Sequence, residues 1–298
     1  MTRREPVALT IAGSDSSGGA GIQADLKTFA AHGVYGASVI TALTAQNTIG
    51  VQAVHPVPTD FVVAQLKSVC DDLSVKAVKT GMLANAEIIT ALARAFANRP
   101  RGAQQDGVVD AAPSAQAVSD GYAVIVDPVM IATSGDPLIN ADAIAVMRDA
   151  LVPVADLVTP NLGEAAALLE TDTATSHPEM EEQGRAILKL GCGAVLIKGG
   201  HLRDDRAPYP RALDVLVTDE QALWLHAPFV ETVNTHGTGC TLSAAIAAQI
   251  VLGAPLIDAV SNAKGYLTSA LEAGRSLAVG AGHGPVDHVF ETKLWSVG

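Results

Sequence analysis

Short apolar runs rich in β-branched residues alternate with longer segments of helical periodicity along most of the chain. The runs are apolar on both faces, as parallel strands are when helices cover both sides of a sheet. The repeated β-α-β units predict an α/β fold, a three-layer α/β/α sandwich with a mostly parallel central sheet. The predicted strands span residues 7–12, 37–43, 77–80, 123–126, 157–159 and 194–197. The predicted helices span residues 20–31, 60–72, 86–98, 141–151, 162–169 and 178–190.

The pattern changes in the last third of the chain, where three β-rich runs follow one another. The first two of these runs predict a pair of antiparallel strands at the edge of the sheet. These runs span residues 213–217, 222–225 and 229–232, and helical runs follow at about 240–250 and 255–273. Residues 99–120 carry Pro, Gly, Ala, Ser and Gln without a period, which indicates a surface insertion. No internal repeat is present, so we expect one domain covering residues 1–298.

The charge of the chain argues against two classes of partner. The formal net charge is −12. A strongly acidic protein repels nucleic-acid phosphates and anionic membranes, so we expect neither as a partner. An anionic ligand such as ATP would need local positive charge, backbone amides or a metal ion.

The number of cysteines and the length of the apolar stretches indicate in which cellular compartment the protein is expected. Cys70, Cys192 and Cys240 make an odd number without C-x-x-C spacing, so a disulfide scaffold or structural zinc site is not expected. The N-terminal apolar run is too short for a signal-peptide core. Residues 244–256 are too short and interrupted to span a bilayer. We therefore expect a cytoplasmic protein.

Polar or glycine-rich residues follow each predicted strand, at the sheet edge where α/β proteins bind ligands. In the first such segment, residues 12–25, a strand enters a glycine-rich turn that precedes a helix. Gly19, Gly21 and Ala24 fit a loose dinucleotide fingerprint, but no acidic residue follows the second strand as that fingerprint requires. The alternatives are a ligand-binding turn and a tight turn that merely needs small residues.

The segment 234–243 places consecutive glycines before an Ala-rich helix. Unpaired first-turn N–H groups and the helix dipole make such a terminus an anion site, able to stabilise a phosphoryl group in transfer. Cys240 begins this helix, and a thiol there should have a lowered pKa. A plain capping turn with a buried cysteine is the simpler interpretation.

Two further segments are weaker signals on their own. Asn161 and Glu164 lie three residues apart at a strand-to-helix junction, so they share a face of the first turn. A capping box explains them equally well. Lys198 closes an apolar strand before Gly199 and Gly200 and could reach a bound phosphate, although a lone lysine there is more often simply solvated. Walker, H-E-x-x-H and G-x-S-x-G motifs are missing, which argues against those NTPases, zinc proteases and hydrolases.

Together these segments resemble the hydroxymethylpyrimidine/phosphomethylpyrimidine kinase family, a branch of the ribokinase superfamily. The resemblance runs in order through nearly the whole chain apart from the insertion, and is more specific than any single motif. The matching stretches are AGSDSSGGAGIQADLKTF at 12–29, SVITALTAQNT at 38–48, KTGML at 79–83, DPVM at 127–130, TPN at 159–161, GCGAVLIKGGH at 191–201 and NTHGTGC at 234–240.

The resemblance implies a ribokinase-like fold and a pocket for a small pyrimidine. Gln46 would hydrogen-bond the aminopyrimidine, and an amide suits that edge because it both donates and accepts. The backbone at Thr44 would add a second contact, and Gly13, Asp25 and Met82 would line the pocket.

The resemblance also implies catalytic roles. Cys240 stands where most sugar kinases of the superfamily carry an aspartate base, and its thiolate would take the proton from the substrate hydroxymethyl group. Gly237, Thr238 and Gly239 would form the anion hole, and Lys198 would approach the ATP phosphates.

Metal and nucleotide contacts follow from the same resemblance. Asn161 and Glu164 would help hold Mg²⁺, directly or through water, which suits a hard cation. Thr218 and Lys264 would lie near the nucleotide. The chain departs from many relatives at Gly163, where proline is common, and glycine there costs about 1 kcal/mol of helix stability relative to alanine.

The implied activity is ATP-dependent phosphorylation of 4-amino-5-hydroxymethyl-2-methylpyrimidine and then of its monophosphate, for thiamin biosynthesis. The resemblance also implies a homodimer. A pyridoxal kinase remains the nearest alternative, because its substrate is likewise a nitrogen ring bearing a hydroxymethyl group. A non-catalytic ligand-binding protein on this fold and a Rossmann dehydrogenase are more distant alternatives.

Overall fold

The computed structural model describes residues 5–99, 121–131, 138–203 and 211–291. Apart from Arg99, the predicted insertion at 99–120 lies outside the described residues. The described strands are β1 (Val7–Asp15), β2 (Tyr35–Gln46), β3 (Val51–Pro56), β4 (Val75–Thr80), β5 (Ala123–Val126), β6 (Leu157–Val158), β7 (Val195–Arg203), β8 (Arg211–Val217) and β9 (Ala222–Pro228). The described helices are α1 (Gly21–Ala31), α2 (Thr59–Asp72), α3 (Ala86–Ala97), α4 (Ala141–Val146), α5 (Leu162–Leu169), α6 (His177–Leu188), α7 (Thr238–Val251) and α8 (Leu256–Gly274).

The described strands form one nine-stranded sheet in the order β3-β2-β1-β4-β5-β6-β7-β8-β9. The six strands from β2 to β7 in this order are parallel to their neighbours. The outer strands β3, β8 and β9 run antiparallel to theirs. The predicted α/β fold with a mostly parallel sheet is confirmed, and so is the antiparallel pair at the edge.

Neighbouring residues of the central strands point into two separate cores, one on each face of the sheet. Leu9 and Val78 pack with Phe96 of α3 in one core. Ala8 and Ala77 pack in the other core, which holds much of α7 and α8. Because side chains alternate along a strand, this division gives the three layers that the sequence pattern predicts. The alanines on the α7 face leave room for that helix to lie close to the sheet.

Two strand predictions differ from the structure. Residues 229–232 do not form a strand, because they follow Pro228, the last residue of β9, and border a cleft instead. Strand β3 was not predicted. Its residues after Val51 are exposed on both faces, so it carries no apolar run. The helix predicted at 141–151 is α4 followed by a wider π-type turn at Met147–Leu151.

All parallel strands end at the same edge of the sheet, which we call the carboxyl edge. Asp15, Gln46 and Thr80 end β1, β2 and β4 there, and Asp127 directly follows β5. Lys198 lies at the same edge in β7, where its backbone forms an isolated parallel β-bridge with Asn161. Residues that are far apart in sequence therefore meet at one place, as is usual for ligand sites in such sheets. Within the described ranges, no helix has both the length and the apolar character needed to cross a membrane.

Candidate active site

A cleft of about 600 Å³ lies at the carboxyl edge of the sheet. It is bordered by β1, β2, the β9 end and the N-terminus of α7. The residues of the predicted site that line it are Gly13, Thr44, Gln46, Met82, Asn161, Glu164, Lys198, Gly237, Thr238, Gly239, Cys240 and Lys264. A groove of the same volume between α6 and β8–β9 is lined by none of the predicted site residues.

Asp15 organises the glycine-rich turn after β1. Its carboxylate accepts hydrogen bonds from the backbone N–H groups of Ser17, Gly19 and Ala20, at 2.8–3.0 Å. His236 adds a bond from Nε2 at 2.8 Å. Burial acts to raise the pKa of Asp15, but the hydrogen bonds from His236, Ser17 and Ala20 lower it to about 2. Asp15 is therefore ionised and holds the turn in one shape.

The two glycine-rich segments pack directly against each other. Gly237 has φ +81°, and a Cβ there would lie 1.9 Å from the carbonyl oxygen of Gly19. Only glycine fits this backbone conformation and this close approach. Helix α7 starts at the next residue, and no described residue accepts a hydrogen bond from the backbone N–H of Gly239 or Cys240. These amides at a helix N-terminus can bind an anion.

Cys240 lies in the first turn of α7, but its thiol is not the acidic one that the sequence predicts. Burial raises the pKa of Cys240 to about 11, with Lys79 opposing the increase and Asp25 adding to it. A backbone hydrogen bond from Gly21 also favours the thiolate. The predicted lowering of this pKa is wrong, because desolvation by the surrounding elements outweighs the favourable position at the helix start.

Lys198 is held by a carboxylate that the sequence analysis did not assign to the site. Its Nζ lies 2.8 Å from Oδ1 of Asp127 and 3.8 Å from Oε2 of Glu164. Asp127 also accepts hydrogen bonds from Thr159 and Ser243. Burial acts to raise the pKa of Asp127, but the nearby ammonium groups hold it below its ordinary value. The charged Lys198 amine lies beside the anion-binding amides, since a Cβ at Gly239 would be 3.2 Å from Nζ.

Asn161 and Glu164 form the capping box that the sequence analysis offered as an alternative to a metal site. Oδ1 of Asn161 accepts from the Glu164 N–H at 2.9 Å, and Oε2 of Glu164 accepts from the Asn161 N–H at 2.7 Å. Both residues also line the cleft. Burial raises the pKa of Glu164 to about 7, Lys198 opposes this and Asp127 adds to it. A cation beside this carboxylate would relieve its desolvation.

The donor set fits a magnesium ion that arrives with a nucleotide. Within the described part of the chain, no group of three or more His, Cys, Asp or Glu side chains could hold a metal. Mg²⁺ does not need such a cage, because it keeps several waters and binds through one or two carboxylates and substrate phosphates. A carboxylate and an amide oxygen beside an anion-binding helix end are compatible with that mode.

At the other end of the cleft, Gln46 is fixed by neighbouring hydroxyls. Oε1 accepts from Thr44 Oγ1 at 3.0 Å, while its backbone N–H and C=O both bond to Ser16 Oγ. These bonds leave the side-chain NH₂ available toward the cleft. Gly13 and Met82 are in contact, since a Cβ at Gly13 would lie 2.6 Å from Met82 Cε. The result is a small pocket with an amide at one side and a thioether at the floor.

Two predicted positions do not lie in the cleft. The prediction that Asp25 lines the pocket is wrong, because Asp25 is fully buried behind the wall and pairs with Lys79. The prediction for Thr218 is also wrong. Val217, the preceding residue, pairs with Val195 at the start of β7, so Thr218 lies at the opposite edge of the sheet. Lys264 does line the cleft, with Nζ 2.5 Å from Oδ2 of Asp214.

Four charged or titratable residues that line the cleft are not among the site residues predicted from the sequence. Asp15, Asp127, Asp214 and His236 all line it and are all buried. A signal existed for three of them: Asp15 and His236 lie inside the two glycine-rich segments, and Asp127 directly follows a predicted strand. Asp214 lies inside a β-rich run, where nothing in the sequence distinguishes it.

Known proteins are similar to this chain over nearly its whole length. A sequence profile of the family described as phosphomethylpyrimidine kinase matches residues 15–287. The hydroxymethylpyrimidine/phosphomethylpyrimidine kinase of Rhizobium meliloti is 50% identical over 282 residues, which cover 95% of this chain and 96% of that protein. The enzyme of the same name from Escherichia coli is 50% identical over 281 residues, covering 94% and 96%.

The fold also matches a solved kinase structure. The pyridoxal kinase from Staphylococcus aureus, in complex with AMP-PCP and pyridoxal, is similar with a TM-score of 0.80 and 30% identity, covering 97% of this chain and 96% of that one. The extent of the profile match and the two relatives at 50% identity establish the family. The chain belongs to the phosphomethylpyrimidine kinase family.

Proposed function

We propose that the protein transfers a phosphoryl group from ATP to the hydroxymethyl group of 4-amino-5-hydroxymethyl-2-methylpyrimidine. It then transfers a second one to the resulting monophosphate, giving the pyrophosphate used in thiamin biosynthesis. The observation that carries this proposal is that Gln46 and Cys240 line one cleft. An amide for a pyrimidine edge and a base for a hydroxyl therefore share a cavity with an anion-binding helix end.

In the first transfer, Cys240 acts as the base. Its thiolate takes the proton from the substrate hydroxyl as the oxygen attacks the γ-phosphorus, the bond to the β-phosphate oxygen breaks, and ADP leaves. The proton then passes from the thiol to solvent. Because the pKa of Cys240 is about 11, only a small fraction is thiolate at neutral pH. The low population of thiolate is compensated because the cleft holds the thiol close to the substrate hydroxyl.

Lys198 and the first-turn amides of α7 stabilise the charge on the phosphoryl group in transfer. Asp127 holds the Lys198 ammonium at the position where that charge develops. Asn161 and Glu164 would hold Mg²⁺ with the nucleotide, and the ion would neutralise phosphate charge. Lys264, paired with Asp214, adds a cation at the nucleotide side of the cleft.

The second transfer requires less from the protein. A phosphate monoester is already ionised near neutral pH and attacks without a protein base. Positioning by Gln46 and Thr44 and stabilisation by Lys198 serve both transfers. The two steps therefore differ in their need for Cys240, and this difference provides an internal control.

Pyridoxal phosphorylation is the second candidate function. The similarity to the Staphylococcus aureus pyridoxal kinase over nearly the whole chain supports it. Both acceptors present a hydroxymethyl group on a nitrogen ring, so the same base and anion hole would serve either one. Gln46 favours the pyrimidine, because its free NH₂ and bonded carbonyl are set to pair with an aminopyrimidine edge.

The test is ADP release with Mg-ATP and each acceptor. We expect kcat/KM to be at least about tenfold higher for the pyrimidine than for pyridoxal, the equivalent of one good hydrogen bond. Higher kcat/KM for pyridoxal would overturn the assignment in favour of the second candidate. No ADP release with either acceptor would overturn both in favour of a binding protein.

We further propose that the chain forms a single kinase domain that acts in the cytoplasm as a homodimer. The continuous sheet from β1 to β9 supports the single domain. Leu43, Ile49 and Val54 are exposed on β2, β3 and their connecting turn, which supports an interface there. Light scattering measures the mass in solution, and a value near the 30.5 kDa of one chain would contradict the dimer.

A further inference from the structure

Residues 284–288, which we call the C-terminal brace, have no role in the proposed function but pack against the start of α7. The backbone N–H of His236 donates to the Gly284 C=O at 3.0 Å. Nε2 of His288 lies 3.1 Å from Oγ1 of Thr241. The brace therefore contacts the chain on both sides of the anion-binding amides.

Thr241 connects the brace to the first peptide of α7. Its Oγ1 and its backbone N–H both donate to the Gly237 C=O, each at 2.8 Å. A threonine hydroxyl has one proton, so both of its contacts can be hydrogen bonds only if it donates to Gly237 and accepts from Nε2 of His288. Burial, with Lys27 and His236 adding to its effect, lowers the pKa of His288 to about 4. The imidazole is therefore neutral at pH 7 and carries its one N–H on Nε2.

Stability alone is a weak reason for this network. The side chains of Thr241 and His288 are both buried. Apolar groups of the same shape can replace two buried hydrogen-bonding partners at almost no cost in stability. Valine has the shape of threonine and would fill the same space, and the backbone N–H of residue 241 would still bond to the Gly237 carbonyl. What valine would lack is the second donor to that carbonyl.

The second donor matters because of the conformation of Gly237. Glycine rotates more freely about its backbone bonds than any other residue, and Gly237 has φ +81°. Two bonds to its carbonyl hold the peptide that opens α7 in one plane, and the direction of the Gly239 and Cys240 N–H groups follows from that plane. Donors that are fixed in place stabilise the charge of a phosphoryl group in transfer, and a displacement of about 1 Å can cost about 10²-fold in rate.

We propose that Thr241 and His288 are positioning residues for the anion-binding amides at the start of α7. The imidazole orients the Thr241 hydroxyl, the hydroxyl holds the Gly237 carbonyl, and the amides that follow point at the phosphoryl group in transfer. This inference rests on the proposed function, in which these amides stabilise the charge of that group. Both transfers use the same amides, so both should slow by the same factor, whereas loss of Cys240 should affect only the first.

Paired variants test this role. Thr241→Val removes the hydroxyl, whereas Thr241→Ser keeps it. His288→Leu removes the N–H donor, whereas His288→Gln keeps one. The double variant Thr241→Val with His288→Leu leaves neither member of the pair unsatisfied, so it guards against a loss of folding. Thr90→Val is the matched control, because Thr90 Oγ1 also donates to the C=O four residues earlier, at 2.8 Å, in α3 on the other face of the sheet.

We expect Thr241→Val and the double variant to lower kcat of both transfers about tenfold, less than the roughly 10²–10³-fold effect of removing an oxyanion-hole donor outright. KM for ATP and for the pyrimidine should stay within about twofold, because the amides act on the transition state. Thr241→Ser and His288→Gln should retain at least about half of kcat, because each keeps its hydrogen bond. A folded double variant that loses no more kcat than Thr90→Val would overturn the inference, and so would a loss confined to the first transfer.

The amides can also be tested without turnover. ADP with Mg²⁺ and aluminium fluoride imitates the phosphoryl group in transfer. Calorimetry should show that Thr241→Val weakens the binding of this mixture about tenfold and changes the Kd of ADP alone by less than about twofold, because only the fluoride contacts the amides. Equal weakening of both would show a general effect on the cleft and would overturn the positioning role.

The wild-type enzyme separates this inference from the proposed function. If the wild type releases no ADP with the pyrimidine, the proposed function fails, and the aluminium fluoride measurement alone decides the role of Thr241. If the wild type phosphorylates the pyrimidine and the folded double variant does so with the same kcat, the proposed function stands and only the positioning role fails.

Discussion

Nε2 of His236 donates a hydrogen bond to Oδ2 of Asp15 at 2.8 Å, across 221 residues of sequence. This bond joins the turn after β1 to the segment that opens α7. Both side chains are buried and both line the cleft. The pyrimidine end and the phosphate end of the proposed site are therefore held together by one hydrogen bond, and the stability of the site depends on the ionised carboxylate of Asp15 that accepts it.

Asp15→Asn should destabilise the protein by about 3 kcal/mol, because it removes a buried carboxylate that accepts hydrogen bonds from three backbone N–H groups and from His236. The asparagine NH₂ would also face the donating N–H groups of Gly19 and Ala20. Denaturant unfolding measures the change. Asp71→Asn, in an exposed ion pair, should change stability by at most about 1 kcal/mol.

The effect of Asp15 should depend on pH with a definite sign. Because its pKa is lowered from 3.8 to about 2, the stabilisation is complete well above pH 4 and is lost as the pH falls toward 2. The difference between wild type and Asp15→Asn should therefore shrink on acidification from pH 5 to pH 2. A difference that stays constant over this range, or none at pH 7, would contradict the role of Asp15.

Gln46→Ala should raise KM for the pyrimidine about tenfold and leave KM for ATP nearly unchanged, because it removes one hydrogen-bonding amide at the acceptor end of the cleft. Steady-state kinetics with each substrate varied in turn measures both constants. Gln52→Ala is the control, since Gln52 is an exposed amide on β3 that bonds only locally to Gly50. Equal increases in the two KM values would show that Gln46 acts through the general shape of the cleft.

Glu164→Gln should raise the Mg²⁺ concentration for half-maximal activity by about tenfold, a typical effect of disturbing a metal site. Glutamine at this position can still accept from the Asn161 N–H, so the capping box and the melting temperature should persist. Glu179→Gln is the matched control, because Glu179 occupies the same position in the first turn of α6. If Glu164→Gln lowers the melting temperature and leaves the Mg²⁺ requirement unchanged, the carboxylate is only a cap.

The fold follows from sequence because buried parallel strands and amphipathic helices leave a strong pattern. Strand β3 left none, since its residues after Val51 are exposed on both faces. Thr218 lies between the β-rich runs 213–217 and 222–225, but this position does not reveal at which edge of the sheet it lies. The antiparallel direction of β8 decides that, and this direction depends on pairing with β7.

The site was predictable as far as its residues lie in local motifs. The resemblance places Asp25 in the pocket lining, whereas in the structure it is buried and pairs with Lys79, 54 residues away. The pKa of Cys240 was misjudged for the same reason. The helix start argues for an acidic thiol, whereas the burial that raises its pKa is supplied by elements distant in the chain. Burial and charge partners from other elements decide protonation, and no local spacing encodes them.

The rates of the two phosphorylations, measured against pH in wild type and Cys240→Ala, test the central claim that this thiol is the base of the first transfer. With a pKa of about 11, the wild-type rate of the first step should rise about tenfold per pH unit between pH 7 and 9. Cys240→Ala should lower this step by about 10²–10⁴-fold and remove the rise, while the second step keeps its rate. A Cys240→Ala enzyme that retains the first step near its full kcat would contradict the account.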